Sequence, residues 1–327
     1  MLTTRSLVPI FSTILVTLGA GDVTGQNPST GSGQVFPVKP IRILTGSAGG
    51  SNDSAARLIA GGITGPLEQP VIVENRASVA LAAPAVAQAP PDGYTLVSAG
   101  DLIWLGPLLR GQTDAIRDYS PITILASAPN VLVVHPSLPV KSVKELIALA
   151  KARPGDLNYS TSSAGGIDHI AGELFKSVAG VKMVWVPFKG GAPSTIAVVA
   201  GEVQLAFLGV FLVSPHVKSG RLKALAVTSA QPSALIAGLP TMAASGVPGY
   251  ELVGIDAMYA PAKTPAAVIT RLNQEIVRFL RTPEAKDRYL LLGGEVVGSS
   301  PDEHLDKLKS RISTIGKLIK EAGIKVD

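Results

Sequence analysis

Short apolar runs along this chain alternate with stretches of helical period, and glycine or proline separates them. Ile41–Leu44 is a compact apolar run that stops in Thr45-Gly46-Ser47, and a helix-like pattern then opens near Asn52 or Asp53 and runs to Gly61. Val71–Glu74 reads as a second strand, Ala80–Gln88 as an Ala-rich helix, and Tyr94–Ser98 as a third strand after a Pro-Pro-Asp-Gly turn. Strands are also predicted at Asn130–His135, Asn158–Ser160, Val184–Pro187, Leu205–Leu208 and Leu222–Thr228. Between them the pattern predicts helices to about Lys151, at Ile167–Ala179, at Pro193–Ala200 and, briefly, at Pro215–Ser219. This alternation points to an α/β fold built from parallel βαβ units with buried strands.

The helix starts carry their own chemistry. Ser142 and Glu145 have the spacing of a capping box. In the tail, Thr264-Pro265, Thr282-Pro283 and Ser300-Pro301 each read as a hydroxyl N-cap followed by proline at the first helical position. The last helix is expected to stop at Gly323.

Composition narrows the class. The 327 residues suffice for two domains, and 46% apolar against 16% charged residues describes a core-building chain. A net charge of +5 is mild at this length, and only 5% of residues are aromatic. Without a basic, aromatic-bearing stripe, nucleic acid is not an expected partner. The absence of cysteine excludes disulfides, thiolate metal sites, Cys nucleophiles and a lipid-anchored N-terminal Cys. At the N-terminus, Arg5 precedes the apolar run Leu7–Ala20, which is too short to span a membrane. We read residues 1–25 as a signal peptide and 26–34 as a Gly/Ser linker, hence export to the periplasm and a soluble mature protein.

Two glycine loops stand at strand ends where helices begin. The first is Ser47-Ala48-Gly49-Gly50-Ser51-Asn52-Asp53, and the second runs Thr161-Ser162-Ser163-Ala164-Gly165-Gly166 and on to His169. Unpaired backbone N–H groups converge at such points and hold an anionic group without a positive side chain. Lys189-Gly190-Gly191 is a third turn after a strand, where glycine permits close backbone approach. Ligands of open α/β sheets bind beyond such strand ends, so a cleft between two lobes follows.

The enzyme readings are weaker. Ala48 breaks a dinucleotide fingerprint, and a P-loop would need a Lys-Ser/Thr pair. Thr45-Gly46…Gly50 resembles a short-chain dehydrogenase turn, but Tyr259-x-x-x-Lys263 encloses Pro261 where that chemistry needs a helix. Ser163, Asp168 and His169 do not form a triad, because neighbours along a helix point apart. The four histidines are widely spaced, so no zinc site is expected. No acid/base or nucleophile constellation accompanies the loops, which leaves a binder with no catalytic residue, cofactor or metal.

At these residues the chain resembles the Bug-type substrate-binding proteins of tripartite tricarboxylate transporters. The similarity runs from about Phe36 to Gly323 and includes FPVKPIRIL, GGSNDSAARLIA, QPVIVENR, PDGYTLV, HIAGELF, VPFKGGAPS and APAKTP in order. The resemblance implies a two-lobe periplasmic-binding-protein fold, type II-like, each lobe a mixed or parallel sheet flanked by helices with the ligand cleft between. It implies lobe 1 at 35–130 plus 252–327, lobe 2 at 131–251, and hinges near Asn130 and Val253. It further implies a monomer that closes on a small carboxylate-bearing solute and passes it to a membrane permease; a sensor partner is the alternative output. The family's ligand loops fall on Thr45–Asp53 and Ser160–His169, with a further contact region on Phe207–Phe211 that includes Leu208 and Gly209. Departures touch this pocket. Thr45–Ser47 replaces the usual proline and aromatic, Leu208-Gly209 replaces a common Asp-Asn pair, and Ile255-Asp256 stands where Trp and Phe are frequent. Less polarity at the distal end favours a carboxylate with an apolar or aromatic body over citrate.

Overall fold

The computed structural model describes residues 36–324 apart from Thr113 and Ala115. The expected signal peptide and linker lie outside the described residues. The first part of the chain alternates β1 (Ile41–Thr45), α1 (Ser51–Leu67), β2 (Val71–Asn75), α2 (Val79–Ala87), β3 (Thr95–Gly100) and α3 (Leu102–Leu109). The long β4 (Tyr119–Val134) leads into α4 (Val143–Ala152), β5 (Asn158–Thr161), α5 (Ile167–Ala179), β6 (Val184–Pro187) and α6 (Gly191–Val199). β7 (Leu205–Gly209), α7 (Val210–Lys218) and β8 (Lys223–Val227) follow. The chain finishes with β9 (Val253–Pro261), α8 (Ala266–Leu280), α9 (Pro283–Leu291), the two-residue β10 (Glu295–Val296) and α10 (Pro301–Ala322).

The strands run in the order β2-β1-β3-β9-β4-β7-β5-β6, with β8 and β10 also on β4. β1, β2 and β3 are parallel, as are β5, β6 and β7, whereas β4, β8, β9 and β10 make antiparallel pairs. The sheet is therefore mixed, as expected for the fold, and the parallel βαβ units make up its outer strands. β4 is the shared element of this two-lobe fold. Its segment Tyr119–Pro129 pairs with β9, and Asn130–Val134 pairs with β7.

Apolar packing follows the same division on two faces and ignores it on the third. Ile41, Ile43, Ile59, Ile63, Leu272 and Ile276 fill the space between β1, α1 and α8. Gly62 belongs to this contact: a Cβ there would lie 2.3 Å from the Phe279 ring, so the two helices approach only because it has none. Val131, Val198, Leu208, Val213 and Val227 form a second cluster. The largest cluster is continuous from Trp104, Leu108 and Leu308 to Leu132, Phe175 and Phe207.

Side-chain caps start α4, α9 and α10, and two of the expected helix starts differ in detail. Thr282 accepts from Ala285 N–H, and Ser300 with Glu303 makes a complete capping box. At α4, Ser142 accepts from Glu145 N–H, but the Glu145 carboxylate takes the Lys141 N–H instead of closing the box. At α8 the N-cap is Pro265, and the Thr264 hydroxyl donates backwards to Pro261 O.

A buried pin holds α10 against the crossing strands. Arg311 donates to Asp101 Oδ1 (2.8 Å) and to Val253 O (2.7 Å), while Asp101 Oδ2 accepts from Ile255 N–H (3.0 Å). Nearby, His304 of α10 is fully buried with its ring 4.9 Å from that of Tyr259. Neither of its ring nitrogens has a partner among the described residues. Burial pushes its pKa down to about 3. Because the unfolded side chain titrates near 6.5, the proton binds the unfolded state better, and stability present above that pH drains away as pH falls towards 3. Between pH 7 and 4 this one residue should cost roughly 3 kcal/mol. Urea titrations across that range should show a flatter acid limb for His304→Leu, and an unchanged slope would disprove the account.

Candidate ligand-binding site

The two glycine loops are built alike. Thr45-Gly46-Ser47-Ala48-Gly49-Gly50 leaves β1 for α1, and Thr161-Ser162-Ser163-Ala164-Gly165-Gly166 leaves β5 for α5. Gly49 has φ +78° and Gly165 φ +69°, a left-handed conformation that a side chain resists. The following glycines, the N-cap residues, are extended at φ −76°, ψ 166° and φ −68°, ψ 165°. In each loop the left-handed glycine donates its N–H to a side chain four residues on: Gly49 to Asp53 Oδ2 (2.9 Å), Gly165 to His169 Nδ1 (3.0 Å). The next glycine donates to a serine carbonyl, that of Ser47 or Ser163. Among the described residues, the N–H groups of Ser51, Asn52 and Ile167 have no acceptor. These open donors and the positive helix ends make both loops competent to hold an anionic group.

The supporting side chains differ. Asp53 is buried, and its second oxygen meets Asn75 Nδ2 (2.8 Å) and Arg57 Nε (3.0 Å). Burial raises its pKa, but the hydrogen bonds from Asn75, Gly49 and Arg57 outweigh this and hold it below the usual carboxylate range. In the second loop Asp168 accepts from the N–H groups of Ser162 and His169, yet burial prevails and its pKa is raised. His169 is pushed down chiefly by burial, so it stays neutral. Since its Nδ1 accepts from Gly165, its proton sits on Nε2. Its ring stacks on Trp185 at 4.1 Å, and Trp185 Nε1 donates to Thr161 Oγ1 (2.8 Å).

A cavity of about 330 Å³ opens beside the second loop. Ser163–Gly166 form one end, α2 and α3 supply apolar walls through residues such as Ala83, Ile103 and Pro107, and Arg110 and Tyr119 also face it. Residues 47–53 do not line it. The first loop reaches its wall indirectly, where Gly46 lies against Val79.

The profile of the tripartite tricarboxylate transporter family receptor matches residues 55–324. The chain belongs to this family. The receptor is also 29% identical over 320 residues to the protein BugT of Bordetella pertussis, covering 96% of this chain and 98% of that one. Among solved structures, R. palustris Rpa4515 with adipate is 32% identical with a TM-score of 0.69, covering 89% of this chain and 99% of that one. MatC from Rhodopseudomonas palustris with bound malate is 25% identical with a TM-score of 0.68, covering 87% and 100%. The receptor is thus a solute-binding protein of the periplasmic-binding-protein kind, and its relatives are binders, not enzymes. No described helix is long and apolar enough to cross a membrane.

Within the receptor the other sequence-derived candidates have distinct places. Gly190, at φ +114°, donates to Ser162 O (2.8 Å) and so braces the second loop from behind. Lys189 beside it is exposed. Gly209 caps α7 at the crossing, paired with Asn130. The Leu208 side chain is buried in an apolar cluster with Val131 and Val133. Asn75, Trp185, α3 and Arg110 were not legible as site elements, since each reaches its place through tertiary contact.

Proposed function

We propose that the receptor captures a small carboxylate-bearing solute with an apolar or aromatic body, in the cleft between lobe 1 (35–130 plus 252–327) and lobe 2 (131–251). It delivers the solute to membrane permease subunits of a tripartite transporter, after export directed by residues 1–25. The observation that carries this reading is the apolar cavity with a serine- and glycine-rich loop at one end. The carboxylate takes the loop's open N–H groups and the Ser162 and Ser163 hydroxyls, and the body lies along α2 and α3. Adipate and malate, held by two relatives, are small acids of this kind. Movement about the β4 and β9 crossings brings the first loop, Ser47–Asp53, onto the same ligand, with Asp53 shaping the loop through Gly49.

Native mass spectrometry of protein purified without refolding should show a co-purified acid. Calorimetric titration should then rank apolar-bodied acids above citrate by at least tenfold, about 1.4 kcal/mol. Tight citrate binding without binding of any apolar acid would sink the preference for an apolar body.

A further inference from the structure

His169 ends the second loop in sequence, yet it does not line the cavity, and only 5% of its side chain is exposed. It stands behind the loop as the acceptor of the Gly165 N–H. The first loop makes the same bond at the same place, and there the acceptor is Asp53. Each acceptor is the third residue of its helix, where the positive helix end favours an anion and opposes a cation. The two respond differently to protons. Asp53, held below the usual carboxylate range, remains an acceptor in mild acid. Nδ1 of His169 offers a single lone pair, and a proton there removes it.

An imidazolium fits poorly at this position. Its Nδ1–H would face the Gly165 N–H, donor against donor, across 3.0 Å. Its Nε2 lies 3.9 Å from Glu173 Oε1, beyond hydrogen-bond length, and that oxygen already accepts from Lys176 Nζ (2.7 Å) and the Tyr159 hydroxyl. Asp168, the other acid beside the ring, accepts from the N–H groups of His169 and Ser162. Trp185 holds the imidazole in place, 8° from parallel, and is itself tied to Thr161 at the root of the loop. Burial, helped by the Lys176 charge, outweighs the pull of Glu173 and moves the imidazole below its ordinary range.

We infer that His169 is a positioning residue that latches the second loop through Gly165, so that protonation of its Nδ1 loosens this loop's grip on the solute and leaves the first loop unchanged. The latched loop binds a proton less readily than a released one. The latch is therefore complete above the ordinary histidine value, near 6.5, and is lost as pH falls through the lower value of the latched state. The inference rests on the second loop being the seat of the carboxylate, and it adds the regulation of that seat.

Two variants separate the acceptor from the ring. In His169→Asn the amide oxygen replaces Nδ1 and does not titrate; in His169→Phe the ring still stacks but accepts nothing. Adipate is titrated calorimetrically into the full chain. Between pH 7.5 and 5 the wild-type affinity should fall at least about fivefold more than that of His169→Asn. The titrations of adipate and of Asp168 are common to both and cancel. At pH 7.5 His169→Phe should bind about tenfold more weakly than the wild type, the effect of one lost hydrogen bond. In the ligand-free wild type, NMR should place the imidazole proton on Nε2, and the Gly165 amide should shift with the imidazole titration while the Gly49 amide does not. Parallel falls in the wild type and His169→Asn overturn the inference, as does equal affinity of His169→Phe. A Gly165 amide indifferent to the imidazole overturns it even where the variants fail to fold. If no acid binds at any pH while the Gly165 amide still follows the imidazole, the latch stands and the carboxylate reading falls.

Discussion

Gly166→Val should abolish ligand capture while leaving the receptor folded. A Cβ at Gly166 would lie 2.7 Å from Asp168 Oδ1 and 2.7 Å from Ser163 Oγ. The backbone itself raises no objection, since φ −68° suits any residue. The collision is with the two side chains that shape the loop. Asp168 holds the Ser162 N–H, and displacing that carboxylate releases Ser162 and shifts the open donors at the start of α5. Because these groups sit on the cavity face of the lobe, the damage falls on binding first. Affinity measured by titration with the co-purified acid should fall at least a hundredfold, roughly 3 kcal/mol, with a small change in melting temperature. Retained affinity would show that the second loop does not touch the ligand. Gly50→Ala is the milder counterpart, since its Cβ meets only Ser47, its O at 3.2 Å and its Oγ at 3.9 Å.

The largest effect on stability should come from Arg311→Met. Arg311 and Asp101 expose only 11% and 9% of their side chains, so the pair is screened little by solvent. Burial raises the Asp101 pKa even against the Arg311 charge. Removing the guanidinium leaves the carboxylate buried with only the Ile255 N–H, and Val253 O loses its donor. Breaking one half of a buried pair typically costs about 3–5 kcal/mol. Equilibrium urea unfolding at pH 7.5 should register that loss. The double change Asp101→Asn, Arg311→Met should recover part of it, because no orphan charge remains. A loss near zero for the single variant would mean that water reaches Asp101.

What could be read from the sequence was local. The glycine loops, β5, α5, β6 and the caps of α9 and α10 depend on residues within a few positions of each other, and they stand where the pattern placed them. β4 was legible only from Asn130 onward because Pro121, Ser127 and Pro129 interrupt its apolar run. β9 escaped notice because Gly254 and Asp256 break its alternation, although burial between β3 and β4 makes it a central strand. α3 is all apolar with Gly106 and Pro107 inside, which hides any helical period. The likeness of the two loops was visible in outline, but the shared bond from the left-handed glycine to a side chain four residues on is a fact of geometry. Gly100 and Asp256 are remote in sequence, and the pairing of β3 with β9 brings them together.

That pairing also sets the order in which the chain can assemble. Emerging from its N-terminus, β3 must leave Val97 without its cross-strand neighbour until Tyr259 has been made. β5, β6 and β7 find one another much sooner, and β4 already offers them a border. The later-made half is therefore free to condense first, while β1–β3 wait with one edge open. Long-range closure of this kind is slow and leaves strand edges exposed to stray pairing. A nascent chain halted before β9 should be the species most in need of a chaperone.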